Sequence, residues 1–227
     1  MVSLRAQWPF TGLDAMNRTY HRPHFKAAHK GRPFRFMPAH AKTTDAQIVH
    51  ATRQLVEREG RDGFSMKDVA ALVGIRAPSL YGRFKDRASL LAAVELLLWA
   101  DLAVLLGDAI VEGDPVASLM KQAHAIRRFA LGRPNSYALF FDVNSVPTED
   151  GTAARAAAVV QLMSPLTMLV GEAYAFAAAR VLVPYLHGFI SMELANGFRL
   201  GSGVDDAFER GMSVILQGLI QSFKPDA

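Results

Sequence analysis

Between Gly74 and Leu91 the chain reads GIRAPSLYGRFKDRASLL. Arg76, Ser79, Tyr81, Arg83 and Lys85 bring guanidinium groups, a hydroxyl, a phenol and an ammonium into one short run. Wound as a helix over Ala77–Phe84, this run sets Leu80 and Phe84 on one face, at i and i+4. Ser79 and Arg83 share a second face, with Arg76 just before it, and Tyr81 and Lys85 share a third. Hydroxyl, ammonium and backbone N–H donors suit phosphate oxygens, while a bidentate arginine suits the acceptor edge of guanine. The chemistry on offer is recognition of a polyanion.

Other chemistries find little support. Cysteine is absent, which removes disulfides, thiolate nucleophiles and Cys-based zinc sites together. Carboxylates and histidines occur, but none falls in a recognisable catalytic arrangement. The chain carries no phosphate-cradling glycine loop, no HExxH and no nucleophile elbow. An enzyme is therefore not expected, and neither catalytic residues, metal nor cofactor is assigned.

Charge is laid out unevenly. The chain of 227 residues has a formal net charge of +4, but residues 1–42 alone carry net +7 and residues 93–227 net −5. Such a split suits a polyanionic partner for one end only. Residues 1–42 hold Pro9, Pro23, Gly31, Pro33 and Pro38, which interrupt every candidate helix, and they are expected to form a basic, disordered arm. Its interleaved Arg18, Tyr20, Arg22, Phe25 and Lys26 are compatible with nucleic-acid contacts. The most apolar run, Ala88 to Leu106, carries Glu95 and Asp101, so no membrane span is expected and the compartment read is the cytoplasm.

The elements that must position the donors are all helical, with no β-alternation of useful length. Ile48, Ala51, Leu55 and Val56 stripe a first helix over Asp45–Glu59. Ser65 opens a second, Met66–Val73, as an S-x-x-D capping box, and Gly74 stands where a left-handed cap would end it. The donor-bearing helix follows at Ala77–Phe84, with Pro78 tolerated in its first turn. Asp86 caps a long fourth helix from Arg87 past Leu106, and Asp114–Pro115 begins a fifth that ends near Gly132. A short helix over Asn135–Phe141 and a loop over Val143–Gly151 lead to two long Ala-rich helices, Thr152–Val170 and Glu172–Leu200. Pro165 and Pro184 should kink them, and a last helix covers Asp205–Phe223. The reading is an all-α chain of about nine helices. It divides into an arm (1–42), a three-helix helix-turn-helix domain (43–92) and a helical domain (93–227).

The run FSMKDVAALVGIRAPSLYGRFKDRASLL, with DAQIVHATRQLVEREGRDG before it, resembles the DNA-binding region of the tetracycline-repressor (TetR) family of bacterial transcriptional regulators. The resemblance covers residues 44–92. It implies that Ser79, Tyr81 and Lys85 contact phosphates and that Arg76, Ala77 and Arg83 lie near base edges. Ser65, Lys67, Pro78 and Gly82 complete the implied DNA surface. Gly82 departs from the family, which commonly has a larger polar side chain there, and Arg83 is left to carry more of the readout.

YLHGFISMELANGF, from Tyr185, is similar to the C-terminal subclass named for a Trp-His-Gly signature, although Tyr185 stands where a Trp is absent. The resemblance implies a helical ligand-binding and dimerisation domain. Its expected pocket residues are His124, Phe129, Tyr137, Phe140, Met163, Leu166, His187 and Met192, suited to a small apolar effector. An aromatic and Met stripe at helical spacing, or a lone His, is more often core, and each of these residues is readable so. Arg127 and Arg128 are readable either as contacts to an anionic effector or as surface.

The implied partners are a near-palindromic double-stranded operator, a second copy held through the last two long helices, and an effector of unknown identity. The function so implied is a repressor released from its operator by ligand. An activator, a repressor needing a co-ligand, and a small-molecule carrier without DNA binding stay open on the same helices.

Overall fold

A computed structural model describes residues 43–142, 148–201 and 203–223. The expected arm, 1–42, and the heart of the expected 143–151 loop lie outside them. Among the described residues there are nine helices and no strand. They are α1 (Asp45–Glu59), α2 (Met66–Leu72), α3 (Ala77–Tyr81), α4 (Arg87–Gly107), α5 (Pro115–Gly132), α6 (Pro134–Leu139), α7 (Glu149–Val170), α8 (Glu172–Leu194) and α9 (Val204–Ser222).

Polar caps set most of the helix starts. Thr44, Ser65 and Asp86 each build a reciprocal capping box with the residue three positions on, Gln47, Asp68 and Ser89. Asp114 accepts from the Ala117 N–H at 2.8 Å, and Thr148 from the Gly151 N–H at 3.0 Å. The Thr148 cap starts α7 three residues earlier than its alanine run predicts.

Two expected helices stop well before their expected ends. The third ends at Tyr81 rather than Phe84, with Gly82 as its C-cap, because glycine supports helix poorly and the chain turns toward the Asp86 cap. The eighth ends at Leu194 rather than Leu200. Asn196 takes a left-handed φ of 52°, and the Gly197 N–H returns to the Met192 carbonyl at 2.7 Å, closing the helix. Pro165 and Pro184 lie inside α7 and α8, which run through them.

Burial forms two clusters. One joins α1–α3 to α4, α6 and the far ends of α5 and α8. In it Ile48, Val56, Val69, Leu80, Leu90 and Val94 pack with Tyr137, Phe140 and Ile190. The apolar core around the expected DNA-binding helices therefore does not stop at residue 92. The other cluster joins α5 and α7–α9 around Leu119, Leu166, Leu182, Phe208 and Met212. Between α4, α5 and α7 the buried Gln122 donates its amide to the carbonyls of Leu106 at 3.1 Å and Gln161 at 2.9 Å.

By length and composition α4, α7 and α8 are long and apolar enough to cross a membrane, with mean hydropathies of 2.1, 1.4 and 1.3. Helix α7 packs against both α4 and α8, and 22–28% of each apolar stretch is buried inside the fold.

Leu80 is fully buried and joins the five-residue α3 to the first cluster. Leu80→Ala should cost about 2–5 kcal/mol of unfolding free energy, from lost burial plus the cavity left behind. Urea unfolding followed by helical circular dichroism measures it, and a loss under 1 kcal/mol would show that α3 is held by something else.

Candidate nucleic-acid interface and its link to the helical interior

The donor-bearing helix is set by a tight turn. Gly74 adopts φ +69°, which a Cβ would disfavour, and the Ile75 N–H closes on the Ala70 carbonyl at 2.9 Å. Arg76 then takes an extended N-cap conformation and Pro78 occupies the first turn of α3. With Leu80 turned inward and Phe84 half-buried beside it, Lys67, Arg76, Pro78, Ser79, Tyr81, Gly82 and Lys85 are left on the exposed side. Ala77 is half-buried and packs against the core. Among the described residues Lys67, Arg76 and Lys85 make no ion pair; the Ser89 N–H lowers the Asp86 carboxyl, and Lys85 lies near enough to help.

Two of the expected contacts are engaged within the fold. Ser65 gives its N–H and its hydroxyl to Asp68, each at 2.7 Å, which holds the Asp68 carboxyl below the usual carboxylate range. Arg83, expected to read bases, turns back to α1: its Nε lies 2.5 Å from Asp45 Oδ1 and its Nη1 donates to the Thr43 carbonyl at 2.5 Å. Nothing in local spacing signals that pairing, because the partners are about forty positions away. Gly82 has an ordinary φ of −69°, and a Cβ there would make only van der Waals contact, with the carbonyls of Pro78 and Ser79 at 3.6 and 3.7 Å. The backbone does not demand glycine at this position; it leaves the surface bare of a side chain.

The helices behind the interface are strapped to it through α1. The Glu57 carboxylate accepts from the Asn135 N–H at 3.2 Å and the Ser136 N–H at 2.9 Å, at the start of α6. Asn135 returns a bond to the Glu57 carbonyl at 2.8 Å. Arg53 pairs with Asp101 of α4 at 2.6 Å, Arg61 pairs with Asp142, and Arg87 bonds Asp62 at 2.9 Å and the Arg61 carbonyl. Glu57 drew no attention in the sequence, where it reads as a solvated helix position.

Of the eight residues expected to line a pocket, four gather. The Tyr137 hydroxyl lies 3.1 Å from His187 Nδ1, and Phe140 sits against Phe129 and Tyr137 with ring centroids 5.8 and 6.4 Å away. Two further rings join them: Trp99 edge-on to Phe140 at 4.6 Å, and Phe141 stacked on His187 at 3.8 Å. Burial pushes the Tyr137 phenol up to about 12, so it stays protonated at neutral pH. Which of the two groups donates follows the His187 tautomer: with its proton on Nε2, the ring accepts from the phenol at Nδ1.

The other four lie elsewhere. His124 faces α9, its Nε2 2.7 Å from Glu209 and its ring edge-on to Phe208. Leu166 and Met163 belong to the second core cluster, and Met192 is half-exposed over Gly197. Arg127 is neither free surface nor open to an anion. It forks onto Glu193 at 2.8 and 2.7 Å, reaches Asp205 at 2.7 Å and lies over the Phe208 ring.

Because its folded value is raised, Tyr137 should contribute stability that is fully present below about pH 10 and lost as pH climbs toward 12. Ultraviolet-difference titration of the wild type against Tyr137→Phe should isolate one phenol ionising near pH 12. A difference signal centred near pH 10 would refute the buried setting.

Comparison with known proteins agrees with this arrangement. Residues 48–94 match the family model described as bacterial regulatory proteins, tetR family, and residues 119–215 match the tetracyclin repressor-like C-terminal domain. Together they take in more than half the chain. YobS, an uncharacterized HTH-type transcriptional regulator of Bacillus subtilis, is 24% identical over 78% of this chain and 93% of its own. The HTH-type transcriptional repressor BdcR of Escherichia coli is 30% identical over 44% of this chain and 48% of its own. A TetR variant from Acinetobacter baumannii, crystallised in complex with minocycline, shares the fold with a TM-score of 0.61 at 18% identity, covering 81% of this chain and 100% of that one. The chain belongs to the tetracycline-repressor family and is a DNA-binding helix-turn-helix transcriptional regulator.

Proposed function

We propose that the protein is a dimeric repressor that leaves its operator when a small, largely apolar effector binds among α4–α8. The observation that carries the DNA half is the exposed donor set on and beside α3, backed by the buried Leu80. Ser79, Tyr81 and Lys85 are assigned to phosphates, and Arg76, with the backbone at Ala77 and Gly82, to the groove floor. Repression is favoured by the likeness to BdcR, named as a repressor, and an effector by the minocycline complex on the same fold.

Support for coupling comes from α6. Its first N–H groups rest on Glu57 of α1, while its Tyr137 meets His187 of α8. A ligand inserted among Phe129, Tyr137, Phe140 and His187 has to displace α6 or wedge it, and either movement is felt at α1. The ligand can release DNA only to the extent that it prefers the displaced arrangement.

Support for a dimer comes from α8 and α9. Phe176, Val181 and Pro184 on α8 and Val214 on α9 are exposed, and the Cβ positions of Gly188 and Gly218 meet nothing within 4 Å. An apolar strip with room for close helix approach fits a self-complementary, two-fold interface. It spaces two copies of α3 for successive major grooves.

Fluorescence-anisotropy titration with the DNA upstream of the protein's own gene tests the reading, and absence of salt-sensitive, sequence-specific binding would sink it. Lys85→Ala should weaken all duplexes alike and reduce the salt slope by about 1. Val214→Glu should shift the protein from dimer to monomer in light scattering and cost operator affinity with it. A variant that stays dimeric would move the interface off this face.

A further inference from the structure

We propose that Asp45 sets specificity at this interface by holding Arg83 back from DNA that does not carry the right sequence. The inference rests on the DNA-binding role of α3 and adds a residue of α1 to it.

Among the cations of the exposed face Arg83 stands apart. Lys67, Arg76 and Lys85 make no ion pair among the described residues, whereas the Arg83 guanidinium is spent on the Asp45 carboxylate and the Thr43 carbonyl, each at 2.5 Å. The acceptors are built in. Thr44 starts α1 with a capping box, its N–H on Gln47 Oε1 at 2.9 Å and its hydroxyl taking the Gln47 N–H at 3.2 Å. The Thr43 hydroxyl reaches the Val73 carbonyl, at the end of α2, at 3.4 Å. The two groups that hold Arg83 are thus fixed by both neighbouring helices rather than met by chance.

A carboxylate at contact distance cancels most of the field of the guanidinium. DNA attraction that does not depend on sequence scales with the cations that displace counterions, so a random duplex gains little from Arg83 while the pair is closed. The pair is nevertheless easy to open. The Asp45 side chain is 66% exposed and that of Arg83 29%, and exposed ion pairs are weak in water. A site that offers the guanidinium a bidentate acceptor in register returns what the exchange costs; a site without one does not. Asp45 therefore penalises wrong sequences more than the right one, which is specificity by a built-in competitor.

Four proteins test this: wild type, Asp45→Asn, Arg83→Gln and the double variant. Each is titrated at several salt concentrations against a random-sequence duplex and against the DNA upstream of the protein's own gene. Asp45→Asn should bind the random duplex several-fold more tightly, with a salt slope steeper by about 1. Upstream affinity should rise less, so the ratio between the two falls. The gain on the random duplex should vanish when Arg83 is already Gln.

A gain that persists in the Arg83→Gln background would overturn the proposal, since any acid near DNA repels it and no pairing is then needed. So would an Asp45→Asn protein that binds the random duplex no better than wild type. Wild-type protein that binds neither duplex would refute the DNA-binding role itself, a failure separate from that of the pair. Asp45 also lies in the first turn of α1, so thermal unfolding accompanies each variant. Asp45→Ser, which keeps a small polar side chain there, is the second variant should Asp45→Asn unfold.

Discussion

Five residues of helix cannot hold their own shape in water. The hydrogen bonds of a single turn do not offset the backbone freedom lost in forming it, so α3 exists only because something else keeps it wound. That something is the burial of Leu80, assisted by Phe84 and Ile75, against a core made by α1, α2 and the first turns of α4. The arrangement divides labour within one short segment. The inward side chains supply the free energy, and the outward ones are left free for chemistry. Gly74 at the head of the turn and the Asp86 cap behind it set where the segment begins and ends.

The same core does not close at the edge of the DNA-binding helices. Tyr137, Phe140 and Ile190 pack into it, so apolar contact runs from the reading helix to the helices assigned to effector binding. Polar straps add direction to that contact. Glu57 faces the first N–H groups of α6, Arg53 meets Asp101, and Arg87 ties the start of α4 to the α1–α2 loop. Exposed pairs of this kind add little stability. Their value is geometric, because each is satisfied in only one relative placement of its helices. Arg127 does the equivalent on the far side. It joins α5 to Glu193 and Asp205, and the hydrogen bond to Glu193 holds its proton more firmly still.

The contrast between Arg83 and Lys85 shows how much a neighbour changes a side chain's meaning. Both lie just beyond α3 and both carry a positive charge. Lys85 faces solvent without an ion pair among the described residues, and Arg83 is closed onto an acid from another helix. An arginine with a fork of five donors can be held by two acceptors and still be released, whereas a lysine offers a point charge with no preferred geometry. A partner that can be exchanged makes an arginine suited to discrimination.

Much of this was legible from the residues alone, because helices and caps are local. Apolar periodicity, the S-x-x-D start at Ser65 and the Asp86 and Asp114 starts placed the helices, and the donor pattern of α3 pointed to nucleic acid. Where local reading missed, it missed at ends: Gly82 cut α3 short, and Asn196 closed α8 early. Pairings between distant positions were out of reach. Arg83 with Asp45, Glu57 with Asn135 and Ser136, and Arg127 with Glu193 and Asp205 join residues 38 to 79 positions apart. So does the sorting of the aromatic and histidine candidates, with Tyr137 and His187 brought together and His124 sent to α9. Periodicity tells which side of a helix is buried, since that depends only on near neighbours along the chain. Which helix it is buried against, and whether a charge faces water or an acid, depends on the packing of the whole chain, and only the tertiary structure decides that.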